Sequence, residues 1–491
     1  MKEFKRGLCW LRRDLRLEDN TALHQALTQC DEVLICFIFD EQILNHLRSE
    51  FEYFEQRASD PRLGYIYESL LELDQNLNQQ YNSQILIRYG HPVEMIPQIC
   101  KQYKIEKLFF NRDYEPQAKK RDLAVTEELN KQKIAFQHTK DHVIFEHNQV
   151  RNGSGEIYRV FTPYKNKWLD LFQKHQESFL KPLKNPAQSS FLSITDLKSE
   201  ITIKDRSHWE TVSKILFQTP SISAGRKSAL EQLKKFKAQA LAQYHDNRDF
   251  PIREGTSLIS TAIRHGVVSI RELVRISIEE KTSGHQIWLS ELVWREFYQM
   301  LLDTHPHVKE RCFKPEYDQI KWRGEAHTFK AWCEGQTGYP LVDAAMRGLN
   351  QTGQMHNRLR MVVGSFLCKT LLHDWRLGER YFALKLLDFD LAANNGGWQW
   401  CSSTGCDSQP YFRIFNPYTQ SKKFDSEGEF IKLWCPELQE YSAKWIHKPD
   451  LVTPLEQINM KCQIGVDYPL AIVDYELMRK SALEMYQEIR D

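Results

Sequence analysis

The 491-residue chain carries no excess of charge: 66 Lys and Arg stand against 65 Asp and Glu, a formal charge of +1. That excludes a protein basic throughout and leaves only a local basic face for a polyanionic partner. Long apolar runs are also missing. The longest largely apolar stretch, Met361 to Cys368, is about eight residues and ends at Lys369, far short of a membrane span. The opening residues, MKEFKRG, lack the apolar core of a signal peptide, so a cytoplasmic location is expected. Eleven cysteines include no CxxC pair. They read as reduced, mostly buried thiols rather than a disulfide or zinc framework. There is no GxxxxGKS/T, HExxH, GxSxG or EF-hand loop, no internal repeat and no low-complexity tract. His305-Pro306-His307 has no third ligand nearby in sequence and reads as surface histidines, so no metal is expected.

What is present suits a globular chain: 41% hydrophobic and 27% charged residues. At roughly 150 residues per domain, two or three domains are expected. Of 12 tryptophans, nine fall between Trp288 and Trp445. Such density is ordinary core, a set of stacking surfaces, or a redox relay; composition does not choose.

Residues 1–140 alternate short apolar runs (Gly7–Leu11, Val33–Phe39, Ile85–Ile87, Leu108–Phe110) with helical patterns (Asn20–Gln29, Leu63–Gln80, Pro92–Tyr103, Gln117–Lys131). This predicts an α/β N-terminal domain with a parallel, doubly wound sheet. Arg12-Arg13-Asp14 stands where a dinucleotide fingerprint would follow the first strand. Residues 141–222, with turns and a Pro/Ser-rich stretch, read as a connector. From 223 to 491 the period is about 3.6, as in Ile287–Leu302 and Asn357–Leu372, so a larger all-α domain is expected.

Three segments stand out chemically. In Gln286–Asp303, Trp288, Glu291, Trp294, Arg295 and Tyr298 share one broad helix side. This is a solvated Glu–Arg pair with core tryptophans, or a pocket wall that stacks and hydrogen-bonds a ring. In Met355–Met361, Asn357 and Met361 lie one turn apart, as core-and-cap residues or as a reader of an amide edge. In Leu387–Cys406, Asp388, Asp390, Asn394 and Asn395 precede two glycines and Trp398-Gln399-Trp400, read as a turn with the indoles on different sides and room for a bulky ligand. Glu254–Ser260 is expected to open a helix and offer an anion site. Gly225–Arg275 holds ten Lys and Arg against five Asp and Glu.

These segments, together with Trp10–Arg16, EGTSLIS, ELVWREFY, TGYPLVDAAMRGLNQTGQMHNRLRM, DLAANNGGWQW and PYFRIFNPYTQSKKFD, resemble the photolyase/cryptochrome flavoprotein family over nearly the whole chain. The likeness is greatest to its class I branch, which acts on cyclobutane pyrimidine dimers. The resemblance implies an N-terminal antenna domain and a helical domain that binds FAD, active in its reduced anionic form. It implies FAD contacts at Tyr244, Thr256, Ser257, Ser260, Trp288, Glu291, Arg295, Asn357, Arg360, Asp388, Asp390 and Asn394. Asn394 would face the central ring of the flavin. Trp398, Trp375 and Trp322, in order from flavin to surface, would form the chain that carries electrons to the flavin during photoreduction, and Glu291 would take part in catalysis. Damaged DNA would meet Arg248, Glu291, Trp294, Asn357, Arg358, Met361, Trp400 and Arg413, with Lys423 nearby. Single His356 followed by Asn357 resembles the dimer-splitting enzymes rather than those with adjacent histidines here. The implied activity is a light-dependent DNA repair lyase, monomeric and not membrane-bound. The alternative is a blue-light signalling or DASH-type cryptochrome. Phe389 stands where the family commonly has Gly, and Leu258 where Arg is frequent. An antenna of methenyltetrahydrofolate would implicate Glu115; deazaflavin or an empty site is the other reading.

Overall fold

A computed structural model describes residues 2–186, 190–197 and 200–489. Its strands are β1 (Phe4–Leu11), β2 (Cys30–Asp40), β3 (Ser59–Asp60), β4 (Leu86–Gly90), β5 (Lys107–Asn111), β6 (Ala135–Thr139) and β7 (Leu216–Phe217). The helices up to residue 304 are α1 (Thr21–Gln29), α2 (Glu41–Tyr53), α3 (Pro61–Tyr81), α4 (Pro92–Tyr103), α5 (Pro116–Lys131), α6 (Phe161–Leu180), α7 (Arg206–Ser213), α8 (Gly225–Gln239), α9 (Tyr244–Asn247), α10 (Ser260–Arg264), α11 (Ile270–Ser277) and α12 (Ser283–Thr304). Those that follow are α13 (Ala326–Glu334), α14 (Pro340–Thr352), α15 (Asn357–Lys369), α16 (Trp375–Lys385), α17 (Leu391–Cys401), α18 (Pro417–Phe424), α19 (Glu429–Trp434), α20 (Pro454–Asn459) and α21 (Tyr475–Gln487). Two compact units result. One holds Met1–Tyr158, Thr162–Ala238 and Ser257–Thr304; the other holds Arg159–Phe161, Gln239–Thr256 and His305–Asp491.

The first unit is built on a five-stranded parallel sheet in the order β4-β2-β1-β5-β6. Cys9 of β1 lies opposite both Ile35 and Phe109, so the order reverses at β1, as in doubly wound sheets. The apolar run of β2 is buried from Val33 to Asp40, as expected of a strand covered on both faces. Leu8, Leu34, Leu86 and Leu108 form a core with Ile96 and Cys100 of α4 and Val125 and Leu129 of α5. The helices start where local chemistry allows. Asn20 accepts from the Leu23 N–H to cap α1, Asp60 caps α3 ahead of Pro61, and α4 opens on Pro92.

Three elements of the first 140 residues carry no clear signal in the sequence: α2, the two-residue β3, and β6. β6 lies at the sheet edge with its residues mostly half-buried, so its sequence shows no apolar run. The stretch expected as a connector is itself structured: it contains α6 and α7, and β7 pairs with β3.

The second unit is helical. Among the described residues after Phe217, the remaining β pairing is one isolated bridge, Ile464 with Tyr468. A satellite core of Ile320, Leu372, Ala482, Met485 and Tyr486 gathers Trp322 against α21. Ten of the eleven thiols are buried, Cys333 is half-buried, and all are free. No described helix is long and apolar enough to cross a membrane.

Candidate functional site

Helix α12 sorts its residues by face. Trp288 is buried against the Phe236 ring at 5.3 Å, a core contact. Glu291, Trp294, Arg295 and Tyr298 lie half-exposed on another side. Trp294 stacks on Tyr298 (5.6 Å, 29°) and meets Phe297 edge-on. The Arg295 guanidinium donates to the His142 carbonyl (2.7 Å). Next to it, and missed by the sequence reading, is Glu296. It accepts from the Ile144 and Phe145 N–H groups and from the Trp168 indole (2.6, 2.9 and 2.6 Å). Burial pushes its carboxyl up to about 7, against donors that pull it down.

The segment Glu254–Ser260 leads into a helix only at its last residue. α10 begins only at Ser260 and has five residues, its cap position is Ile259, and no side chain caps it. Leu258 has a left-handed φ of 50° and is exposed. Thr256 and Ser257 are half-exposed and Ser260 is exposed, and none of them caps α10. Gly255 turns tightly against Asn247, whose Cβ would be 2.6 Å from an added β-carbon. Tyr244 is buried, and the Arg248 guanidinium lies 5.4 Å over its ring.

At the start of α15, His356 is the cap: its Nδ1 accepts from the Arg358 N–H (3.2 Å). Burial pushes its imidazole down to about 4, which leaves it neutral. Asn357 is exposed at the first helical position, and Met361, one turn later, is half-buried. Arg358 pairs with Asp249 (2.9 Å) and covers the Phe424 ring. Arg360 grips Asp388 with two bonds (2.8 and 3.0 Å) and donates to the Met355 carbonyl. Arg413 and Lys423 are exposed.

Leu391–Cys401 is helix α17, not the turn expected from its two asparagines and two glycines. Asp390 caps it by accepting from the Ala393 N–H (3.1 Å). The Asn394 amide donates to the carbonyl and carboxylate of Glu379 (3.0 and 2.9 Å), which fixes its orientation. Asn395 and Gln399 serve the fold instead. Both donate to the Val308 carbonyl, and Gln399 also accepts from the Phe313 N–H, which pins residues 308–313. A β-carbon added at half-buried Gly397 meets nothing within 4 Å, so open space lies beside the helix there.

The tryptophans are graded by depth. Trp398 is buried against Gly378, with Phe382 at 5.0 Å and Trp332 at 6.0 Å. Trp375, one turn before Gly378 on α16, is fully buried under the Arg376 guanidinium at 4.8 Å. Half-buried Trp322 leans on Tyr486 (6.3 Å), and the amides of Arg323 and Gly324 bond the Leu372 carbonyl just ahead of α16. Trp400 is half-buried. The sequence reading also missed Trp332 and buried Lys369, whose amine donates to Ser403 Oγ (2.7 Å) and the Arg413 carbonyl (3.2 Å). In the other unit, Glu115 Oε1 accepts from both Arg13 and Arg264 (2.9 Å each).

The open space at Gly397, the oriented Asn394 amide and the half-buried Arg360–Asp388 pair fit a planar, hydrogen-bonding ring system such as a flavin. Family models agree: residues 7–187 match "DNA photolyase" and residues 288–488 match "FAD binding domain of DNA photolyase". Fold and site thus define an FAD-binding flavoprotein with an α/β unit and a helical unit. Its relatives narrow this. A deoxyribodipyrimidine photo-lyase of Vibrio cholerae is 39% identical, covering 98% of this chain and 99% of that protein. The crystal structure of a class III photolyase from Agrobacterium tumefaciens is 29% identical with a TM-score of 0.83, covering 100% and 98%. An archaeal photolyase from Sulfolobus tokodaii, solved with two FAD molecules, is 31% identical with a TM-score of 0.80, covering 98% and 100%. The chain belongs to the DNA photolyase family.

Proposed function

We propose that this protein is a light-dependent deoxyribodipyrimidine photolyase that splits cyclobutane pyrimidine dimers in DNA. The observation that carries the reading is the half-exposed face of α12. There a stacking indole, Trp294, and a carboxylate, Glu291, stand beside each other instead of sinking into the core. A pyrimidine dimer is poorly stacked and unpaired, so extruding it costs less than flipping a normal base. Trp294 and Trp400 supply stacking surfaces, while Glu291 and Asn357 bond base edges. Arg413, Arg248 and Lys423 meet phosphates, which positions the DNA without reading damage. Bound FAD would supply reversible, light-driven electron transfer to the dimer with no net redox. Asn394, Asp388 and Arg360 hold and orient that cofactor, and Trp398, Trp375 and Trp322 bring it electrons from the surface.

A second chromophore, methenyltetrahydrofolate or deazaflavin, belongs at the carboxyl ends of the parallel strands, where the strand order reverses. Trp10 lies there beneath the guanidinium groups of Arg12 and Arg121 (4.6 and 5.0 Å). Glu115, with one carboxylate oxygen held by two arginines, contributes to that site through its ion pairs. The protein works as a cytoplasmic monomer. The test is dimer-containing DNA, single- and double-stranded, given to FAD-loaded enzyme in blue light and in darkness. Light-dependent loss of dimers from both substrates is expected. Loss from single strands alone supports the DASH-type alternative, and no loss from an enzyme that retains FAD refutes repair.

A further inference from the structure

Besides its Glu291–Trp294 face, helix α12 holds a second device, one that dimer splitting itself does not use. Residues Asp141–His147, which follow β6, run along it. Arg295 donates to the His142 carbonyl, and Glu296 Oε2 and Oε1 accept from the N–H groups of Ile144 and Phe145 (2.6 and 2.9 Å). Seven residues on, Asp303 pairs with His147 and Lys119. Glu296 and Asp303 are two turns apart and therefore on one face. The strap is thus clamped to the helix at both ends of its length. The Trp168 indole adds a third donor to Glu296, which is 3% exposed.

A carboxylate buried with three N–H donors is costly to place and hard to replace. Glutamine offers an N–H where one of these donors needs an acceptor. A helix held at residues 295, 296 and 303 can neither rotate nor slide. A one-residue slip would turn its side chains by about 100° and move them ~1.5 Å.

We propose that Glu296 is a positioning residue: by clamping the 142–147 strap to α12 it sets the rotation and height at which that helix presents Glu291 and Trp294 to the pyrimidine dimer. This rests on the reading of that face as the substrate surface. Protonation would turn one oxygen into a poor acceptor, release the Ile144 or Phe145 contact and loosen the clamp. Burial already brings the Glu296 carboxyl to about 7. The titratable and charged groups around it are Lys140, which donates to the Ile144 carbonyl, Arg295, His142, Glu146, Tyr114 and Tyr164.

The test uses FAD-loaded enzyme and measures affinity for dimer-containing and intact duplex between about pH 6 and 8.5. In wild type, dimer affinity relative to intact duplex should fall as pH drops through about 7. Glu296→Gln should lose about tenfold of that preference and its pH break, while intact-duplex affinity stays. Trp168→Phe keeps the ring and removes one donor that lowers the carboxyl, so its break should move to higher pH. A merely structural role would not shift it, and this variant decides between the two if Glu296→Gln does not fold. A Glu296→Gln enzyme with wild-type preference and pH break, or an unmoved break in Trp168→Phe, overturns the proposal alone. A wild type that does not prefer dimer DNA overturns the substrate reading on which it rests.

Discussion

Replacing Gly378 by Ala tests whether Trp398 occupies the place that electron relay requires. A β-carbon at Gly378 would overlap the indole, 2.5 Å from Cζ3 and closer still to Cη2, and 2.6 Å from Leu367 Cδ2. Ordinary carbon contacts need about 3.5–4.0 Å, so the ring must retreat by about 1.5 Å. The ring also meets Phe382 and Trp332, both buried, so it has little free space around it. Overpacking of this kind costs roughly 1–3 kcal/mol. Ala is the better helix former by up to about 1 kcal/mol, which offsets part of that. The melting temperature should fall by roughly 2–6 °C for a unit of this size. Photoreduction of oxidised FAD should slow, because the innermost indole has moved, whereas repair by chemically pre-reduced enzyme should survive. Trp322→Phe is the control: it should slow photoreduction at the surface end without overpacking. A Gly378→Ala protein that melts higher than wild type and photoreduces normally would show that the indole does not rest on Gly378, and the relay assignment would fall.

Two further outcomes follow from buried and paired charges. Burial lowers the Lys369 amine from 10.5 to about 8, so the folded state disfavours its charged form. Between those values the unfolded chain holds a proton that the folded one has released, and stability therefore rises with pH. That difference is worth roughly 3 kcal/mol at pH 7, and about 2 kcal/mol is lost when Ser403 and the Arg413 carbonyl lose their donor. Lys369→Met should gain about 1 kcal/mol at about pH 7 and lose that advantage by about pH 10, measured by urea denaturation; equal effects at both values would contradict a buried amine. In salt titrations of DNA affinity, Arg413→Ala should flatten the log–log slope by about 0.9, one phosphate's worth. Arg358→Ala should change it by much less, because Asp249 already neutralises that guanidinium. Equal changes in the two variants would place Arg358 on a phosphate.

Much of this protein is written locally. The apolar run of β2 reports burial on both faces, and the period and proline start of α4 give its bounds, because burial and backbone geometry act over neighbouring residues. The free thiols and the helical second half are legible for the same reason, and Asp388, Asn394 and Trp398 stand out in the sequence as candidate site residues. The tertiary structure decided what depends on partners far away in the chain. Asn-Asn-Gly-Gly reads as a turn by propensity, yet α17 forms because Asp390 caps it and Trp398 packs on Gly378, twenty residues earlier. β6 has no apolar signature because an edge strand buries so little of itself. Arg358 looks like a phosphate ligand until Asp249, more than a hundred residues before it, is found against it. Glu291 and Glu296 are alike in sequence and five positions apart, and only the strap arriving from β6 distinguishes them. Periodicity says which side of a helix faces inward; which charge meets which donor is set by contacts that close long loops of chain, and no local pattern records them.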